Sequence, residues 1–168
     1  MAVKKWMILP GVLALLLAAL AVWYFMATKD KREVKKLVEN VSSLVSKKSG
    51  DVPHAGVFKF TKVDDFFCPA VKLRVVQPDI SANWSRDELK TNVALMQRMI
   101  DELSVNVTDI KVELSDGLAI FDFDARISGA AKKGRNDFAD VYRCSGSAEK
   151  SEGKWKISSL TAEPIVKK

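Results

Sequence analysis

Histidine, cysteine and tyrosine are scarce: 168 residues hold one His, two Cys and two Tyr. His54, Cys68 and Cys144 do not fall into any metal-ligand spacing, so nothing points to a zinc or other metal centre. A Gly-rich phosphate loop, a serine nucleophile elbow and an internal repeat are all missing, which removes the usual nucleotide-binding, serine-hydrolase and solenoid readings. No cofactor is expected.

Clustered positive charge is also missing where a nucleic acid would need it. The formal charge is +6, yet residues 1–36 hold seven Lys or Arg against two acids, while residues 37–168 hold twenty basic against nineteen acidic residues. A phosphate-tracking surface needs its excess on the folded domain, so no nucleic-acid partner is expected.

Charge is absent altogether from Trp6 to Ala27, a run of 22 residues. That is enough for a helix to cross a hydrocarbon core of about 30 Å. Trp6 at one end and Trp23, Tyr24 and Phe25 at the other fit interfacial aromatic belts, and Pro10 comes early enough to be tolerated. A cleavable signal peptide competes, with Lys4 and Lys5 as its basic head and Ala19-Leu20-Ala21 as its cleavage site. Cleavage there would leave Val22-Trp23-Tyr24-Phe25-Met26 at a new N-terminus, so an uncleaved signal anchor over residues 1–28 is expected, followed by one domain over residues 29–168. No Cys lies near the span, which excludes a lipoprotein. Orientation signals conflict. Five basic residues follow the span and two precede it, which argues for an inside domain, whereas a short basic head before an apolar run is how exported signal anchors begin. A single-pass protein with a periplasmic or otherwise extracytoplasmic domain is the expectation.

Behind the span, Val34, Leu37, Val38, Val41, Leu44 and Val45 mark one face of a helix from about Lys29 to Lys47. Gly50 and Pro53 break it. Residues 57–61 could alternate as a strand, but Thr61 with Asp64 and Asp65 predicts a short capped helix ending at Phe67. Ala70 to Val76 alternates as a strand, and Gln77 to Asn83 reads as a loop. Ser85 and Glu88 then form a capping box, with Trp84 and Leu89 placed as a hydrophobic staple. Leu89, Val93, Met96, Ile100 and Leu103, widened by Leu95 and Met99, predict a helix as far as Leu103. Downstream the period becomes 2. Val105–Leu114, Leu118–Ser128, Phe138–Ala148 and Lys154–Ala162 read as strands, with turns at 115–117, 129–136 and 149–153. In the second of them Phe121, Phe123, Ala125 and Ile127 share one side, and Ile120, Asp122, Asp124 and Arg126 the other. Helices followed by an antiparallel meander define an α+β domain.

Three segments, Asp65-Phe66-Phe67-Cys68-Pro69-Ala70-Val71, Asp116-Gly117-Leu118-Ala119 and Gly153-Lys154-Trp155-Lys156-Ile157, resemble the nuclear transport factor 2-like superfamily, which includes the SnoaL-like proteins. The resemblance spans about Asp30 to Pro164 and looks like a membrane-anchored bacterial member. It implies a cone of helices packed on a curved antiparallel sheet around a pocket, for which Phe67, Trp84, Met96, Met99, Phe121, Phe123, Tyr142 and Trp155 are the candidate lining residues. An even cysteine count leaves a disulfide open. The resemblance implies that Cys68 and Cys144 sit two strands apart, about 9.5 Å against a limit of about 7 Å between bridged Cα atoms, so two free buried thiols are expected. Dimerisation through the open sheet face also suits such a fold.

Members of the superfamily include enzymes and non-enzymes, so fold alone assigns no activity. His54 sits beside Pro53 in a loop, and Asp122 and Asp124 fall on the outer sheet face, with Arg126 or Arg143 as cross-strand neighbours. The expectation is a membrane-tethered ligand-binding or protein-interaction module without catalytic activity, holding a small apolar ligand or a protein partner. The alternative is a cone-pocket isomerase, dehydratase or hydrolase that uses Asp64 or Asp65 as its base.

Overall fold

Residues 28–45 form the first described helix, α1. Its 3.6-residue apolar spacing puts Val34, Leu37, Val38 and Leu44 into the core, while Lys31, Arg32, Lys35 and Lys36 face outward. The helix is pinned at both ends. Lys150 Nζ donates to Asp30 Oδ1 at 2.7 Å, and the Trp155 indole Nε1 donates to the same oxygen at 3.3 Å. Just past its C-terminus, Lys47 and Leu103 exchange both backbone hydrogen bonds, at 2.7 and 2.9 Å. The computed structural model describes residues 28–47, 62–131 and 135–165; the apolar run 6–27, Thr61 and His54 lie outside them. Among the described residues no helix is long and apolar enough to cross a membrane.

A single helical turn, α2 (Val63–Phe66), leads directly into β1 (Phe67–Val75). The short helix is where the acidic pair predicted it, but its N-cap is Lys62, which contributes no side-chain cap bond. A turn at 76–79 returns the chain into β2 (Ile80–Ser85), antiparallel to β1 from Ala70↔Ser85 to Val75↔Ile80. The expected loop at Gln77–Asn83 is therefore half strand. Its alternation is carried only by half-buried Ala82 and Trp84 among exposed neighbours, a signal too weak to read without the ladder that β1 supplies.

Helix α2 is followed by the longer α3 (Arg86–Met99), entered through a complete capping box. The Ser85 N–H donates to Glu88 Oε2 at 2.8 Å, and the Glu88 N–H donates to Ser85 Oγ at 3.3 Å. The Ser85 N–H, and the Ser85 hydroxyl that donates to the same carboxyl oxygen at 2.8 Å, hold the Glu88 carboxyl below the ordinary range. Leu89 is buried, and Trp84 and Val93 pack against the same core. The helix stops at Met99, not at Leu103, because Ile100 already pairs with Ala131 and opens β3 (Ile100–Ser115). Apolar residues at 100 and 103 satisfy either period locally. Pairing with the long β4 (Leu118–Ala131) and the two backbone bonds from Lys47 decide for strand.

Asp116 and Gly117, at φ 39° and 80°, make the two-residue left-handed turn between β3 and β4. β5 (Arg135–Ser151) and β6 (Lys154–Pro164) complete the meander, with Glu152 and Gly153 at φ 52° and 77° between them. β4 runs on to Ala131 and β5 starts at Arg135, so residues 129–131 and 135–136 of the expected tip are strand; residues 132–134 lie outside the described residues.

One curved sheet results, in the order β2-β1-β6-β5-β4-β3. It is mixed, not purely antiparallel as expected, because β1 and β6 run parallel. The chain between them passes through β2, α3 and three more strands, ample length for a parallel return. Phe121, at 0 % exposure, is the largest fully buried side chain, set among Phe67, Leu89, Trp155, Ile157 and the α1 stripe. Its ring lies over Gly146, its partner on β5, where a Cβ would come within 2.7 Å of the ring and 2.6 Å of the Ser159 carbonyl oxygen.

Candidate functional site

Alternation along β4 separates the two sheet faces as the sequence implied. Phe121, Phe123 and Ala125 are buried, and Ile120, Asp122 and Arg126 are exposed. On the outer face Asp124 and Arg143 are opposite one another, and the Arg143 Nε lies 3.6 Å from Asp124 Oδ1.

The expected pocket residues divide into three groups. Phe67, Phe121, Phe123 and Trp155 are buried, with the two Phe rings of β4 at 6.1 Å between centroids, so they form the packed base of the interior. Trp84, Met96 and Tyr142 are half-buried. Met99, the last residue of α3, is 68 % exposed where the chain turns into β3, and it does not line the interior. Among the described residues no polar or charged side chain is buried.

Asp64 and Asp65 lie on the surface and are each ion-paired. Lys90 Nζ donates to Asp64 Oδ2 at 2.9 Å, which raises the Lys90 pKa, and Lys154 Nζ lies 3.5 Å from Asp65 Oδ1. The two side chains are 50 % and 59 % exposed. They bind α2 to its neighbours in the manner of first-turn helix charges.

Both cysteines are free and buried. Their strands are separated by β6, as the resemblance implied. Burial pushes the Cys144 thiol up to about 11, with the Asp124 charge adding to it. Burial also raises Cys68, and Glu149 adds to the rise while Arg86 and Lys156 oppose it.

Those last three residues mark a place that sequence reasoning missed. Cys68, Pro69, Ala70, Arg86, Glu149 and Lys156 line a cavity of about 580 Å³. Trp155 and Ile157 of β6 are buried in the core, so Lys156 between them, and Ser158 beyond, open to the opposite face. The one available signal was Pro69, which cannot donate to a ladder and so marks a bulge or an edge.

No family model and no curated relative matches the chain. Solved structures do. The Kfla4162 protein from Kribbella flavida is similar at a TM-score of 0.68 and 12 % identity, covering 84 % of this chain and 95 % of that one. A nuclear transport factor 2-like superfamily protein from Salmonella enterica serovar Typhimurium gives 0.66 at 11 %, covering 84 % and 94 %. A hexachlorocyclohexane dehydrochlorinase, LinA type 2, gives 0.64 at 11 %, covering 83 % and 91 %. The domain therefore has the nuclear transport factor 2-like cone fold. At identities this low the likeness carries no activity with it.

Proposed function

We propose that this chain is a membrane-tethered, non-catalytic module. Residues 6–27 fix it in a bilayer, the domain lies on the extracytoplasmic side, and the apolar interior between α3 and the sheet receives a small apolar ligand or an apolar side chain of a protein partner. The observation that carries this reading is the chemistry of that interior: no polar or charged side chain is buried among the described residues, and Asp64 and Asp65 are committed to lysines on the surface. A general base must reach its substrate proton within hydrogen-bond distance, in surroundings that tune its pKa. Further support comes from the Asp30 anchorage, which fixes the start of α1 three residues beyond the uncharged run and so gives a tether a defined point of attachment.

The dehydrochlorinase among the similar structures favours a second reading, a cone-pocket enzyme with Asp64 or Asp65 as base. It is the weaker one, since either carboxylate would first have to leave its lysine.

Alkaline carbonate extraction of membranes carrying the full chain, with alkaline phosphatase or green fluorescent protein fused after Lys168, tests the tether. The chain is expected in the pellet, with an active phosphatase fusion and a dark fluorescent one. Recovery in the supernatant with residues 1–21 removed would overturn the tether, and a bright fluorescent fusion would overturn the assigned side.

A further inference from the structure

Both ladders that flank β6 lose register at the same residue. On one side Phe67 pairs with Ile157 and Lys72 with Ser159, so five steps along β1 answer two along β6. On the other, Ala148 pairs with Ile157 and Ser147 with Ser159. Ser158 is skipped by both ladders, and residues 68–71 of β1 have no ladder partner on β6. Bulges of this kind gather beside functional sites because they interrupt pairing and re-aim side chains.

Two side-chain bonds frame the gap, the first from α3 to β1 and the second across it from β1 to β6. The Arg86 Nε donates to the Phe67 carbonyl at 2.9 Å, and the Cys68 thiol donates to the Lys156 carbonyl at 3.6 Å. The first occupies only one of the Arg86 donors, so its remaining N–H groups are available to the cavity that Arg86 lines.

Charge around the opening is balanced and uncommitted. Arg86 and Lys156 supply two cations, Glu149 and Glu152 two anions, and among the described residues none of the four is in an ion pair within 4 Å. The adjacent charges are already matched, Lys150 with Asp30 and Lys154 with Asp65. A simple anion entering the cavity would meet the glutamates, and a simple cation would meet Arg86. A molecule with one charge of each sign meets both with complements. The volume, about 580 Å³, lies within the range of small-molecule sites.

We propose that this cavity binds a short peptide with free ends, its carboxylate on Arg86 and Lys156 and its ammonium on Glu149. The site lies on the far side of the sheet from the apolar interior and is independent of the tether.

The full chain in detergent micelles, titrated with triglycine by calorimetry, tests the assignment. Saturable binding is expected, weakened about tenfold or more when the peptide is N-acetylated or converted to its amide, the size expected for one charge-assisted bond. Glu149→Gln should weaken triglycine and triglycinamide but leave N-acetyl-triglycine unchanged, and Lys156→Gln should do the converse for the carboxylate. Neither substitution removes a ladder bond, and unchanged thermal midpoints verify that each variant folds. In a Cys144→Ala background, bound triglycine should also slow alkylation of Cys68, which lines the cavity. Absence of saturable binding overturns the proposal, as does binding that acetylation and Glu149→Gln leave untouched, the behaviour of a plain anion site.

Discussion

Replacing Asp30 tests how α1 is held to the sheet. Its carboxylate takes the Lys150 ammonium at 2.7 Å and the Trp155 indole N–H at 3.3 Å, while Lys150 also lies 5.6 Å from the centroid of the Trp155 ring. The ion pair is partly exposed, at 33 % and 21 %, so after solvent screening it contributes about 1 kcal/mol. The indole bond adds about 1 kcal/mol, since its loss leaves a donor unpaired on a residue that is 6 % exposed. Asp30→Ala should therefore cost about 2 kcal/mol, and Asp30→Asn, which keeps an acceptor for the indole, about half of that. In thermal unfolding of the full chain in detergent, followed by circular dichroism, about 2 kcal/mol corresponds to a midpoint about 4–8 °C lower. The effect has a defined pH dependence. Burial alone would raise the Asp30 pKa, but the bonds from Lys150 and Trp155 outweigh it and hold the folded-state value below the ordinary carboxylate range. A depressed pKa stabilises the fold above the unfolded-state value near 4 and loses that contribution as pH falls through the folded-state value. The midpoints of wild type and Asp30→Asn should thus run parallel from about pH 5 to 8 and converge below about pH 4. A variant Asp30→Ala that melts within about 1 °C of wild type, or a gap that persists undiminished at about pH 2, would refute this account of the junction.

Gly146→Ala should destabilise the domain by about 1–3 kcal/mol, because the new methyl would strike the Phe121 ring and the Ser159 carbonyl, neither of which can yield without disturbing the core; an unchanged midpoint in the same assay would count against that contact. Cys144, with its thiol at about 11, should be alkylated by iodoacetamide at pH 8 far more slowly in the folded chain than after denaturation, and mass spectrometry of the oxidised protein should find no Cys68–Cys144 bridge.

Where local patterning had only one interpretation, it was readable directly. The α1 stripe, the Ser85–Glu88 cap, the Asp116–Gly117 turn and the two faces of β4 depend on contacts within a few residues or on a period the chain repeats several times. The same reasoning separated the interior phenylalanines from Asp122, and placed Asp64 and Asp65 in the first turn of a short helix. Tertiary pairing decided the rest. Ile100–Leu103 is strand because Ala131 and Lys47, both distant in sequence, are there to bond it, and Ile80–Ser85 is strand because the turn at 76–79 lays it beside β1. The parallel β1–β6 pair, and the break in register that gathers Arg86, Glu149 and Lys156 around Cys68, arise from residues as distant as Cys68 and Lys156, 88 positions apart. Periodicity reports which side of an element is apolar. Which strand comes to lie against that side, and where two ladders fall out of step, depends on how the whole sheet closes.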